Sequence, residues 1–185
     1  MLLVFTGNGK GKTTAALGQA LRSVGEGKRV LMVQFIKGPW KSGEDDSAKL
    51  LATNFKLVKM GKGFVGILGD SLPFEEHQKA AEEGLALAKH EMGSGNWDMV
   101  ILDEVSNAVH LNLIPKEKVI ELFDFIKRAP ASDSSSAAIH RLEYLILTGR
   151  DAPQEFIDAA DLVTEMQDVK HPFEKGVKAR RGLEY

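Results

Sequence analysis

Two kinds of hydrophobic pattern alternate along this chain: short continuous apolar runs, and longer stretches with apolar residues every three or four positions. The first kind reads as strands buried on both faces, the second as amphipathic helices. Strands are expected at Leu2–Thr6, Arg29–Ile36 (RVLMVQFI), Phe55–Met60, Asp98–Leu102, Glu143–Thr148 (EYLILT) and Asp161–Met166. Between the first two, Lys12 to about Val24 places Ala16, Leu17, Ala20, Leu21 and Val24 on one stripe, and Gly25 and Gly27 end it. Glu75–Met92 sets Ala81, Leu85, Ala88 and Met92 on a second helical face. Pro115 stands at a first helical position for Lys116–Arg128, with Val119, Phe123 and Ile126 inward, and a short helix starts near Pro153. The Ser/Ala-rich stretch Ala129–Ala138 reads as a flexible surface insertion. Strand–helix alternation of this kind predicts an α/β fold: a mostly parallel sheet of about six strands, covered by helices on both faces.

The first strand runs into Thr6-Gly7-Asn8-Gly9-Lys10-Gly11-Lys12-Thr13-Thr14, a phosphate-binding loop of the Walker A kind. Its glycines let backbone N–H groups turn inward as an anion nest, and Lys12 supplies a mobile positive charge. The Thr13 hydroxyl stands where such loops hold Mg²⁺, and the following helix aims its positive end at the same point. The usual spacing puts four residues between the first glycine and Gly-Lys-Thr, whereas Gly7 and Gly11 enclose three. Either the loop starts at Thr6 or it is one residue tighter; in both cases a polyphosphate sits differently in it. Lys10 either adds charge beside the phosphates or is a solvated loop lysine.

Trp97-Asp98-Met99-Val100-Ile101-Leu102-Asp103-Glu104 is an apolar strand ending in two acids, the Walker B pattern. Ligands of parallel sheets gather at the carboxyl ends of strands, where a carboxylate offers Mg²⁺ the hard oxygen it prefers. Arg150, following Leu147-Thr148-Gly149, falls on the same edge, either to screen phosphate charge or to pair with a surface acid. Composition narrows the rest. A net charge of −2 gives no basic field for nucleic acid, and no apolar run reaches membrane-spanning length. With no cysteine, the chain has no disulfide, thiolate metal site or thiol redox chemistry. The apolar residues 1–5 are too short for a signal peptide, so the cytoplasm is the expected compartment. His77, His90, His110, His140 and His171 lack metal-ligand spacing and read as surface or capping positions.

Taken together, these segments resemble the P-loop ATP:corrinoid (cob(I)alamin) adenosyltransferases of the CobA/CobO/BtuR-like family. The resemblance is carried by TGNGKGKTTAALG (Thr6–Gly18), RVLMVQFIKG (Arg29–Gly38), VILDE (Val100–Glu104), LILTGR (Leu145–Arg150), ADLVTEM (Ala160–Met166) and KHPFEKGVKARRGLEY (Lys170–Tyr185). The three-residue loop spacing is itself a trait of that family. The resemblance implies one RecA-like P-loop domain over residues 1–185, in a homodimer. It implies that reduced cobalt attacks C5′ of ATP and triphosphate leaves whole, in adenosylcobalamin synthesis or salvage. Lys12 and Glu104 would carry catalysis. Gly7 to Thr14 (including Asn8, Gly9, Lys10, Gly11, Lys12 and Thr13) and Arg150 would bind ATP. Thr13, Asp103 and Glu104 would hold Mg²⁺ (or Mn²⁺).

A flavodoxin or flavin reductase is the implied electron donor, because the chain has neither cysteine nor a flavin motif. In Gly61-Lys62-Gly63-Phe64-Val65-Gly66, Phe64 matches a corrinoid-facing aromatic of the family, but Gly66 stands where the pattern carries Trp. Trp40 or Phe74 would then supply the second ring. Family members also carry a longer N-terminal segment that covers the site, a role a partner would have to fill here. Two rivals remain at this stage. A P-loop kinase or ATPase would expect the four-residue spacing, and a non-catalytic ATP/corrinoid-binding module would fit the missing Trp.

Overall fold

Six strands form one parallel sheet: β1 (Leu2–Thr6), β2 (Val30–Gln34), β3 (Phe55–Lys59), β4 (Met99–Asp103), β5 (Tyr144–Thr148) and β6 (Leu162–Glu165), in the order β3-β2-β4-β5-β1-β6. The computed structural model describes residues 1–38, 40–51, 54–67, 69–127 and 142–183; the Ala129–Ala138 stretch lies outside them. The expected strands are all present, each within two residues at either end. β5 separates β1 from β4, with Val4 opposite Leu147 on one side and Leu102 opposite Leu147 on the other. The phosphate loop and the two acids are therefore one strand apart, and the residue ending β5 stands between them.

Strand alternation makes two cores. Leu2, Val4, Leu31, Val33, Val100, Leu102, Leu145 and Leu147 face helix α3 (Phe74–Gly93) and the elements after β4, among them α7 (Gln154–Ala159). Leu3, Phe5, Val30, Met32, Met99, Ile101 and Ile146 face α1 (Lys12–Gly25). Helices thus cover both faces, the three-layer sandwich expected of parallel strands read as continuous apolar runs.

Three local readings change. The buried face of α1 is Ala16, Ala20 and Ser23, while Leu21 is exposed; small residues let the helix lie close to the sheet. The expected Lys116–Arg128 helix is α5 (Lys116–Ile120), a 3₁₀ turn (Glu121–Phe123) and α6 (Asp124–Lys127), and it sets Phe123 edge-on to Phe156 of α7 with ring centroids 5.5 Å apart. Two helices went unforeseen: α2 (Gly43–Leu50) and α4 (Val105–His110). α2 buries none of its residues, so it has no apolar stripe to betray it. Its signal was the Ser42–Asp45 capping box and the acidic first turn Glu44-Asp45-Asp46.

Candidate active site

Backbone geometry explains the glycines of the phosphate loop. Gly7 and Gly11 sit at φ of 93° and 110°, a region that only glycine enters without strain. A Cβ on Gly9 would lie 2.5 Å from the carbonyl oxygen of Gln167, so the loop presses against the chain leaving β6. The Gly9 N–H donates to the Met166 carbonyl at 2.7 Å, which reserves that amide for the protein itself. Lys12 curls back over the loop and donates to the carbonyls of Gly7 (2.7 Å) and Gly9 (2.6 Å). Burial, together with the nearby Arg150 charge, lowers the pKa of its ammonium. Asn8, Lys10 and Thr14 are exposed on the same loop and helix start.

Asp103 is the hub of the edge. It is fully buried and accepts from three side chains: Thr13 (2.8 Å) and Thr148 (2.7 Å) at Oδ1, and Gln34 (3.0 Å) at Oδ2. One residue from each of α1, β5 and β2 is thereby tied to the end of β4. Glu104 follows in the left-handed region at φ 61°, its N–H donating to the Thr148 hydroxyl at 2.9 Å. That turn points the Glu104 carboxylate away from the strand, where Oε2 is buried with no hydrogen-bond partner. Burial and the Asp103 charge push its pKa up to about 7, against the opposing pull of Lys37, Lys12 and Arg150. An orphaned carboxylate oxygen beside a second acid and the Thr13 hydroxyl is a donor set of hard oxygens, and a divalent cation fits it.

The expected Lys12, Thr13, Asp103, Glu104 and Arg150 therefore converge. Arg150 is exposed; its backbone N–H donates to Asn107 Oδ1 at 3.0 Å, and its charge reaches both Lys12 and Glu104. Four residues escaped the sequence reading: Gln34, Lys37, Glu44 and Thr148. Gln34 is the one polar side chain inside the VLMVQ run of β2, a signal that was available. It lies 3.4 Å from Glu44, which also pairs with Lys37. Burial opposes the Lys37 charge, but the Glu44 hydrogen bond and the nearby Asp103 and Glu104 carboxylates outweigh it and raise its pKa.

Phe64 lies apart from this group, on the connection after β3. That connection and the one after β2 touch backbone to backbone: a Cβ on Gly61 would meet the Ile36 carbonyl carbon at 2.3 Å. Gly66 turns at φ 68°, which accounts for glycine there in place of a ring-bearing residue. Asp70 accepts from the N–H groups of Gly66 (2.8 Å) and Leu72 (3.0 Å), and those two amides hold its carboxyl below the ordinary range. It also pairs with His77 at 3.0 Å. His77 is 3 % exposed, so the surface-or-capping reading is wrong for it: α3 carries it inward to brace the loop. Among the described residues no group of three His, Cys, Asp or Glu is poised to hold a metal by itself.

Residues 1–185 match the family model described as "ATP:corrinoid adenosyltransferase BtuR/CobO/CobP". The chain is 37% identical over 185 residues to a corrinoid adenosyltransferase of Escherichia coli (strain K12), covering 100% of this chain and 85% of that protein. It is 36% identical over 190 residues to the corrinoid adenosyltransferase CobA of Salmonella typhimurium, with the same 100% and 85% coverage. In fold alone it is similar to the flagellar accessory protein FlaH from Methanocaldococcus jannaschii, at TM-score 0.53 and 11% identity over 89% of this chain and 69% of that one. The match of the whole chain to the family model, together with relatives 36–37% identical over its full length, places this chain in the ATP:corrinoid adenosyltransferase family.

Proposed function

We propose that this chain transfers the 5′-deoxyadenosyl group of ATP to the Co(I) centre of a reduced corrinoid and releases triphosphate. The observation that carries the reading is the family match over the whole chain. In the reaction, the cobalt electron pair forms the Co–C5′ bond while the C5′–O bond breaks, and its electrons pass to the leaving triphosphate. No proton moves, so the chain needs no general base. Its tasks are to align the reactants and to stabilise charge growing on the leaving group.

Lys12 serves the second task. It rests on the neutral carbonyls of Gly7 and Gly9, and an arriving triphosphate offers anionic oxygens that bind an ammonium more strongly. Arg150 adds positive charge on the same side, and the exposed Lys10 and Asn8 lie along the path of the phosphate tail. Thr13, Asp103 and Glu104 are the residues that would hold Mg²⁺. Asp103, with both oxygens already occupied, orients Thr13, and Glu104 carries the open valence. Bound there, the ion would supply further positive charge to the leaving triphosphate. Phe64 faces the corrinoid.

Residues 1–185 act as one domain in this reading, within a cytoplasmic homodimer served by a flavodoxin or flavin reductase. Among the described residues no helix is long and apolar enough to cross a membrane. The test is product analysis: ATP and chemically reduced cobalamin should yield a light-sensitive Co–C product and triphosphate. ADP and phosphate forming at comparable rates without corrinoid would sink the assignment and favour an ATPase.

A further inference from the structure

Lys37 and Glu44 stand beside the paired acids, yet the chemistry assigned so far gives them no task. Lys37 lies on the connection after β2 and Glu44 in the first turn of α2, and the two form an ion pair with side chains 28% and 10% exposed. Gln34 links the pair to the centre of the site, its amide nitrogen lying 3.4 Å from Glu44 and 3.0 Å from Asp103. Of the cations acting on Glu104, Lys37 acts most strongly, ahead of Lys12 and Arg150. In the strand order β4 and its acids lie between β2 and β1, so Lys37 approaches from one side and Lys12 from the other. The pair is not what holds α2. Lys59 of β3 donates to the Ser42 hydroxyl at 3.1 Å and pairs with Asp45, and Ser42 and Asp45 close the capping box. Nor would Glu44 be orphaned if Lys37 left, because Gln34 and its own backbone N–H at the helix start remain as donors. The Lys37–Glu44 pair can therefore open without loosening the helix or stranding a buried charge.

We propose that Lys37 is a further cation for the triphosphate of ATP, paired with Glu44 until the nucleotide binds and then passed to the phosphate oxygens. The inference rests on the adenosyltransferase reading above and adds a residue for its leaving group. An ammonium on a four-carbon stem is flexible and has three N–H donors, so it can turn from one acceptor to another. Glu44 offers it a single negative charge, whereas a triphosphate spreads several over many oxygens and competes for the same donors. Glu44 is thus a restraint on Lys37, and the two residues act on nucleotide affinity in opposite directions. A pair that served only to support the fold would act in one direction, since breaking it from either side would disturb the same structure.

The experiment measures binding of ATP and of inorganic triphosphate by calorimetry for Lys37→Met, Glu44→Gln and the double variant, in chelator so that no divalent cation contributes. Lys37→Met should weaken both ligands about tenfold, the size of one charge-assisted hydrogen bond. Glu44→Gln keeps an acceptor for Gln34 but releases Lys37, and should tighten both about threefold. On top of Lys37→Met the Glu44 change should gain nothing, because no ammonium is left to release. If Lys37→Met alone does not fold, the double variant, which leaves no carboxylate unpaired, still reads the effect. It should bind about thirtyfold more weakly than Glu44→Gln. Several results would overturn the proposal: weaker binding in both single variants, a Lys37→Met affinity within twofold of wild type, or no gain from Glu44→Gln. An equal gain from Glu44→Gln with and without Lys37 would overturn it too, as relief of like charge alone. Formation of a Co–C product is scored on the wild type: product without these signs sinks only the role of Lys37, and no product sinks the enzyme assignment.

Discussion

At the β1–β4–β5 end of the sheet edge polar groups are buried and cross-tied, whereas at the β2–β3 end apolar rings stand exposed on braced loops. Asp103 alone joins α1, β2, β4 and β5 through Thr13, Gln34 and Thr148. Trp40 and Phe64 lie with ring centroids 5.9 Å apart and line an open pocket. On the proposed function, the contrast follows from what each end would recognise. A triphosphate presents concentrated charge, which is held best by dipoles and cations fixed beforehand, because reorienting them during reaction would cost free energy. A corrinoid presents area, and area is recognised by surface that water already leaves readily. The two ends should therefore fail differently when altered.

The largest effect belongs to the phosphate end. Lys12→Ala removes the one mobile charge folded over the loop, and turnover should fall on the order of a thousandfold with little change in melting temperature. Corrinoid binding, measured separately, should be nearly untouched. A rate near wild type would mean that the Lys12 position over Gly7 and Gly9 has no bearing on the leaving group.

Glu104 sharpens the comparison through pH. Its folded pKa of about 7 lies above the ordinary 4.5, chiefly through burial and then through Asp103. Between those values the folded chain keeps a proton that the unfolded chain has released, so this residue lowers stability progressively as pH rises through that window. The full penalty, on the order of 3 kcal/mol, is reached about a unit above pH 7 and is absent below about pH 4. Glu104→Gln should accordingly melt higher than wild type at pH 8 in chelator, and the gain should vanish near pH 4. The same variant should lose most of its activity. If its melting advantage is the same at both pH values, Glu104 is not a strained acid.

How far these ends were legible in the sequence differs in the same way. The phosphate end is local: Thr6–Thr14 and Val100–Glu104 each sit on one strand and its exit, so motif spacing located Lys12, Thr13, Asp103 and Glu104. Thr148 and Gln34 were not seen as site residues because their role comes from lateral strand order, which periodicity does not encode. The ring end is assembled across segments. Trp40 meets Phe64, 24 positions later, only because Gly38, Gly61 and Gly63 let two loops pack backbone to backbone. His77 was misread for a related reason: on a helix whose other buried residues are apolar, a lone histidine resembles an exposed position until Asp70 folds over it.

The smallest expected effect tests whether the ring end depends on bracing as well as on rings. Asp70 holds its loop by accepting from two amides and His77, yet it lies away from Lys12, Asp103 and Glu104. Asp70→Ala frees Gly66 and Leu72 to move and leaves His77 without its partner. The corrinoid KM should rise about threefold, since a loosened loop must be ordered again on binding, while the ATP KM stays constant. Amide hydrogen exchange at Gly66 and Leu72 should accelerate by an order of magnitude or more, and exchange in β1 and β4 should not change. Exchange that accelerates without any rise in corrinoid KM would show that the rings need no fixed frame, and the contrast between the two ends would reduce to charge against area. Faster exchange in β4 as well would show instead that the two ends form one cooperative unit, and the separation drawn between them would be wrong.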